Sequence, residues 1–436
     1  MNKSSPSAYY SLIFIFVASI STIGLLLDRH QSIILGLAYF LAFFSYFWLV
    51  KFYSESNVLF PLGIFIRIIL FVGLPTLSDD IYRFIWDGHI LANSLNPYLH
   101  VPEFYLSETH FSGLTPDLFN KLNSKPYFTI YPPLNQLIFW IGVKFGGGNY
   151  LIATNVIRGF IMAAEIGSFY FLKKILIHNN RNPNLAYWLF LNPLIILEFT
   201  GNVHFEAIVI FFLLMGLHFL NEKKMVLGGF SIGGAIATKL VPFIFLPAIL
   251  FKLKWKNGIL VVGFAMMIAG VTLIPLISPQ LISNLHSSLD LYFRKFEFNA
   301  SIYFLFREIG YFFTGYNIIG KLGPVLSLID FIAILLISLY GARAGWKLEK
   351  TILFILLIHL SLSTTVHPWY ILPLIPLGII SGYYFPILWS LFIFSTYLGY
   401  TPGGYEPSAF WLVSEYMCLF VFLTFEIFNH KNVSLD

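Results

Sequence analysis

Residues 9–27 read YYSLIFIFVASISTIGLLL, nineteen consecutive positions without a charge. A helix of that length rises about 28 Å, close to the hydrocarbon thickness of a bilayer. It is apolar on every side, whereas a helix on the surface of a water-soluble domain carries a single apolar stripe. The segment is therefore expected to cross a membrane. Lys3 alone precedes it and no small-residue cleavage pattern is visible, so it is expected to persist as a helix and not to be removed as a signal peptide.

Runs of the same character recur along all 436 residues, which are 58% hydrophobic and 11% charged and include 48 Phe, 25 Tyr and 9 Trp. About fourteen fall between Tyr9 and Phe428, several of them short or cut by proline. The expected fold is an all-α polytopic membrane protein of about 12 to 14 transmembrane helices forming one transmembrane domain over residues 1–436. YPPLNQLIFWIGVKF, residues 131–145, keeps only about 13 apolar positions after its prolines, which suits a re-entrant or interfacial helix. A lone cysteine, Cys418, excludes an intrachain disulfide and argues against zinc-cluster chemistry. The net charge of +5 comes from basic residues that flank apolar runs, so nucleic acid is not an expected partner.

The positive-inside rule orients the chain. With the amino terminus inside, Lys51, Lys173, Lys174, Arg181, Lys223, Lys224, Lys252, Lys254, Lys256, Arg343, Lys347 and Lys350 fall on the inner side. Arg294, Lys295 and Arg307 are the exceptions. The outer side then receives LSDDIYRFIWDGHI (77–90), GNVHFE (201–206), Lys239, RKFEFNASIYFLFRE (294–308) and VHPWY (366–370). Nearly all chemically capable connections share that side, so the protein is expected to work there. Residues 75–131 form a first large outer loop with an acidic motif, and 279–317 a second. Within the first, Ile81, Phe84, Ile85 and Gly88 alternate at helical spacing with Asp80, Arg83 and Asp87, which predicts an interfacial helix with Arg83 and Asp87 one turn apart.

Asp79 and Asp80 follow Ser78 at a helix start, where they suit an N-cap. They equally suit a general base beside the membrane, if excluded water raises a carboxyl pKa towards neutrality. Lys239, in GGAIATKLVPFIFLP (233–247), interrupts an apolar run beside Pro242, and a broken helix at membrane depth usually lines a cavity. With Arg294, Arg307 and His367 it forms a set of outer cations able to hold a phosphate, though each could also snorkel or pair with an acid. Trp369 and Tyr370 offer faces to a sugar or belong to an aromatic belt. His204 and Glu206, with Arg83 and Asp87, are further sugar or acceptor contacts; a metal would want a third ligand, and none is evident. Arg67, Arg158, Glu165 and Asp330 lie within spans and read as buried partners between helices.

SDDIYRFIWDGHILANSLNPY (78–98) and YFTIYPPLNQLIFW (127–140), together with ATKLVP (237–242) and HPWY (367–370), resemble the polyprenyl-phosphate-mannose-dependent glycosyltransferases of the GT-C fold. The chain resembles in particular bacterial mannosyltransferase-like proteins and, more distantly, the catalytic subunit of the first GPI mannosyltransferase. The resemblance implies a transfer with inversion at the outer face, bacterial inner membrane being the expected location. A polyprenyl-phosphate-sugar lipid is the implied donor, mannose the implied sugar, and a glycan or glycolipid the acceptor. The family's acidic motif, often Asp-x-Asp, corresponds to the adjacent Asp79 and Asp80, with Asp80 favoured as the base. No cofactor is required, and a divalent metal is compatible but not predicted. The rival readings are a transporter or lipid flippase, with functional groups near the bilayer midplane, and a membrane O-acyltransferase built on His359, which has no polar neighbour in sequence.

Overall fold

The computed structural model describes residues 6–107, 111–401 and 403–429, without the side chains of 289 and 291–294. It is an all-helical membrane protein. The strands among the described residues, Tyr400–Thr401 and Gly404–Tyr405, pair as a small antiparallel hairpin.

Among the described residues, five helices are long and apolar enough to cross a bilayer: Pro6–Leu25, Ser32–Tyr53, Trp255–Leu276, Ile319–Arg343 and Ala409–Phe428. Only 17% of the Trp255–Leu276 window is buried, so most of that apolar surface faces outward, as lipid contact requires. A sixth span arises if Pro193–Gly201 and Glu206–Asn221, bent by 114°, are taken together. Five more apolar helices are short: Leu59–Val72, Met225–Thr238, Val241–Lys252, Pro368–Ser381 and Phe385–Gly399. Among the described residues five helices, or six with the bent pair, thus have the length and composition of a full span, with shorter apolar helices between them. Proline is the main cause, since Pro193, Pro242, Pro368 and Pro386 each stand in the first turn of a new segment, where the missing N–H costs nothing.

One apolar core runs from Phe16 to Leu423. Where the sequence puts charges inside spans, they find partners within the protein. Arg67 donates to Glu165 and to the carbonyls of Gly63 and Phe190, while Thr200 donates to the other Glu165 oxygen. Arg158 donates to the carbonyls of Gly73, Thr200 and Gly201.

The first loop holds the Asp80–Ala92 helix, which packs against Pro133–Gly146, the helix formed by the proline-led apolar stretch. Gly88 makes the approach close enough that a Cβ there would lie 2.5 Å from the Phe139 carbonyl oxygen. The one-turn spacing of Arg83 and Asp87 is present, and the stripe is covered by protein. Asp87 is fully buried. Arg83 Nε donates to Asp87 at 2.8 Å and its Nη1 to the carbonyls of Ser124 and Tyr127; Thr129 and Gln136 donate to the other Asp87 oxygen. The chain from 123 to 136 folds over the polar stripe and supplies the partners that water was expected to provide. The second loop forms two helices, Leu281–Arg294 and Ile302–Thr314.

Candidate active site

Three interruptions in the helices bring the chemically capable residues together. In the first, the π-helical turn Ile196–Gly201 leads into Val203 at φ 61°. A β-branched residue in the left-handed region costs on the order of 1–3 kcal/mol. Backbone bonds from Asn202, Val203 and His204 to the carbonyls of Leu197, Phe199 and Glu198 hold it there. The second follows Thr238, where Lys239 is extended at φ −153° and ψ 143° before Pro242 restarts the helix. In the third, the loop 363–367 is tied to Phe298, which donates to Thr364 and accepts from Val366.

These breaks and the start of the Asp80–Ala92 helix surround a cavity of about 610 Å³. Asp79, Asp80, Arg83, His204, Glu206, Lys239, His367, Trp369 and Tyr370 all line it. Asp87 lies behind it, enclosed as described above. Arg307 is not part of its lining; it pairs with Glu297 at 2.8 Å and Glu308 at 2.6 Å and covers the Phe304 ring. Two acids from its own stretch hold it, and one of them, Glu297, lines the cavity. The Arg294 side chain lies outside the described residues.

Asp79 and Asp80 separate. Asp79 is bound by Arg29 at 2.7 Å. Asp80 accepts from Asn123 at 2.8 Å, and its second oxygen stands 3.7 Å from His204 Nε2. The other His204 nitrogen is 2.9 Å from Glu198, an ion-pair contact off the hydrogen-bond line. Glu198 is itself fixed by Tyr397 and Asn202, which donate to it at 2.6 and 3.1 Å. Stacking sets the ring plane, since His204 and His367 both stack on Trp369, with ring centroids 3.7 and 4.5 Å away. Lys239 is paired with Glu206, and its ammonium lies 4.1 Å from the centroid of Tyr370.

The electrostatics follow from these contacts. Burial pushes the Asp80 carboxyl up, but His204 and the Asn123 hydrogen bond outweigh it and hold the pKa below the ordinary value. Burial would lower His204, yet Asp80 and Glu198 raise it to about 9. Burial drives His367 down to about 3. At neutral pH the site therefore holds an Asp80 carboxylate beside an imidazolium, with a neutral imidazole at His367. Against expectation, the Asp80 carboxyl is held low despite the rise that burial brings, and burial favours the neutral form of His367. Its ring can still hydrogen-bond a phosphate.

Sequence reasoning missed Glu198, Arg29 and Asn123. Glu198 carried a usable signal, because an acid within an apolar run is costly and marks a functional or paired group. Arg29 and Asn123 carried none, being ordinary polar residues of connecting segments. His359, without a polar neighbour in sequence, has one in space: Asp330, at 2.7 Å, and both line the cavity. Among the described residues no three His, Cys, Asp or Glu side chains converge as a metal-ligand set.

Fold and site together define an all-helical membrane protein whose broken helices enclose a cavity of paired acids and cations on an aromatic platform. A family model described as "Alpha-(1->6)-mannopyranosyltransferase, N-terminal domain" matches residues 31–255, just over half of the chain, and the chain belongs to that family. It is 24% identical over 190 residues to alpha-(1->6)-mannopyranosyltransferase A of Corynebacterium glutamicum, a match covering 42% of this chain and 36% of that relative. The chain thus spans about a third of the length of the curated relative it matches. Asp79, Asp80, Glu198, His204, Glu206 and Lys239 fall within the family match; His367, Trp369 and Tyr370 come from beyond it.

Proposed function

We propose that the protein is an inverting glycosyltransferase of the GT-C type that moves mannose from a polyprenyl-phosphate donor to a hydroxyl of a glycan or glycolipid acceptor. The observation that carries this reading is the convergence, on one cavity, of an ionised carboxylate, a lysine and stacked aromatic rings. Family membership supports mannose as the sugar.

In this reaction the acceptor oxygen attacks the anomeric carbon on the face opposite the phosphate. As the new C–O bond forms, the bond from carbon to phosphate oxygen breaks, and the phosphate leaves with the electron pair. The hydroxyl proton passes to Asp80. A weakly basic carboxylate suffices, because the attacking oxygen becomes strongly acidic as it bonds to the electron-poor carbon. His204 holds Asp80 ionised and oriented, and Asp79 anchors the start of the helix through Arg29. Trp369 and Tyr370 offer apolar faces to the sugar. Lys239 exchanges Glu206 for the departing phosphate, whose charge grows in the transition state. His367 adds a neutral hydrogen-bonding edge. The reaction so drawn needs no cofactor, and a divalent metal is compatible with it without being invoked. The location that goes with this reading is a bacterial inner membrane, and the basic clusters elsewhere in the chain support an outward-facing cavity.

The test is transfer by the purified protein from polyprenyl-phosphate-mannose to lipid and oligosaccharide acceptors, with the anomeric configuration of the product read by NMR. Inverted product with release of polyprenyl phosphate is expected. Transfer from a nucleotide sugar alone, or retained configuration, would overturn the reading.

A further inference from the structure

Beyond Lys239 the cavity wall turns apolar, with Val241, Pro242 and Phe245 on one segment and Leu356 and Leu360 on another. Into this wall the chain sets one more ionisable pair, Asp330 and His359, with Oδ2 and Nδ1 2.7 Å apart. The pair joins two packed helices, Ile319–Arg343 and Leu348–Leu362, and the second packs against Val241–Phe245, the turn that follows Lys239. His359 stands in the last turn of its helix, just inside the polar loop 363–367.

Packing does not explain the pair. Apolar residues of similar volume would hold two helices at least as well as a buried ion pair. Ionisable groups that face a cavity inside a membrane domain mark the path of a ligand. The pair also has unused capacity: with Nδ1 engaged by Asp330, Nε2–H is the donor edge His359 can offer to a ligand. A ligand that satisfies this wall needs an apolar chain ending in a strong acceptor.

We infer that the His359–Asp330 pair binds the phosphate of an isoprenoid-lipid monophosphate whose chain lies along Phe245, Leu356 and Leu360. Asp330 orients the ring and supplies its counter-charge, Nε2–H donates to a phosphate oxygen, and Lys239, at the head of the packed turn, takes another. The inference rests on the proposed function for the identity of the lipid as the sugar donor.

Asparagine places an amide near the Nδ1 position of histidine and glutamine places one near Nε2, so the two substitutions separate the edges. Purified His359→Asn is expected to keep its bond to Asp330, raise KM for the polyprenyl-phosphate-mannose donor about tenfold and change kcat less, as loss of one charge-assisted hydrogen bond predicts. His359→Gln should recover part of the affinity. Binding of sugar-free isoprenyl monophosphate should weaken in parallel, while inorganic phosphate and phosphatidylglycerol vesicles should compete poorly. Donor KM and isoprenyl monophosphate binding unchanged in His359→Asn would overturn the inference with the transferase reading intact. His359-dependent competition by phosphatidylglycerol would overturn it in favour of a membrane phospholipid. Wild-type protein that neither transfers from nor binds the lipid phosphate would instead sink the proposed function. Should His359→Asn not fold, Asp330→Asn carries the same expectation, and unchanged donor binding there is equally fatal.

Discussion

Asp80 and His204 face each other in the cavity with 3.7 Å between Oδ2 and Nε2, and each holds the other in its charged form. The contact joins two segments that are far apart in sequence. One begins a helix of the first large loop; the other follows a strained turn between two halves of a bent helix.

That couple makes activity depend on pH with a definite sign. His204 rises from 6.5 to about 9 in the folded protein, so its contribution is complete below 6.5 and lost as pH climbs through 9. Transfer should therefore fall on the alkaline side near pH 9. Glu198→Gln removes one of the two flanking carboxylates and should move that limb to lower pH, with the protein still folded. A kcat profile for both proteins checks this; coincident alkaline limbs would refute the role given to Glu198.

Trp369 carries the two imidazoles on its ring. Each aromatic contact of this kind is worth about 0.5–1.5 kcal/mol beyond burial. Trp369→Ala should raise KM for the sugar-bearing substrate on the order of tenfold or more through loss of the platform and of His204 alignment. Trp369→Phe should fall between it and the wild type. Steady-state kinetics on the three proteins decide the matter.

The position of Asp80 depends on Gly88, two turns further along the same helix. A methyl group there meets Phe139 backbone atoms at 2.5 and 2.8 Å, which a side-chain adjustment cannot relieve. Gly88→Ala should cost about 1–3 kcal/mol of stability and reduce transfer as the helix is pushed from Pro133–Gly146. Gly159→Ala, into open space, should do neither. Thermal melts in detergent, paired with activity, distinguish the two variants.

Arg67 and Glu165 form a buried pair away from the cavity chemistry. Arg67→Leu alone leaves Glu165 without its charge partner and should destabilise the fold by about 3–5 kcal/mol. Arg67→Leu with Glu165→Leu should regain most of that loss. A double variant no more stable than the single would show that the pair does more than satisfy its own burial.

Local pattern makes part of this legible in the sequence. Residues 9–27 announce a membrane helix because their apolar character has no gap around the circumference, and Pro242 marks the break at Lys239 because it removes an N–H. The same logic finds the one-turn spacing of Arg83 and Asp87. It cannot tell whether their stripe meets water or a returning loop, and Ser124, Tyr127, Thr129 and Gln136 proved to cover it. Pairings at long separation are equally silent: Arg29 lies 50 residues from Asp79, Asn123 lies 43 from Asp80, and Asp330 lies 29 from His359. Hydrophobic periodicity reports which face is buried and not which partner it meets. Arg307 is a different case, since Glu297 and Glu308 stand in the stretch that suggested it, and a count of local acids would have shown the cation already claimed.

In the proposed reaction Asp80 accepts the proton of the attacking hydroxyl. Asparagine keeps the size of that side chain and removes the base, so Asp80→Asn, assayed beside the wild type with polyprenyl-phosphate-mannose, bears on it most directly. Transfer should fall by about a hundredfold or more while donor binding persists. Equal rates of product from the two proteins would contradict the account.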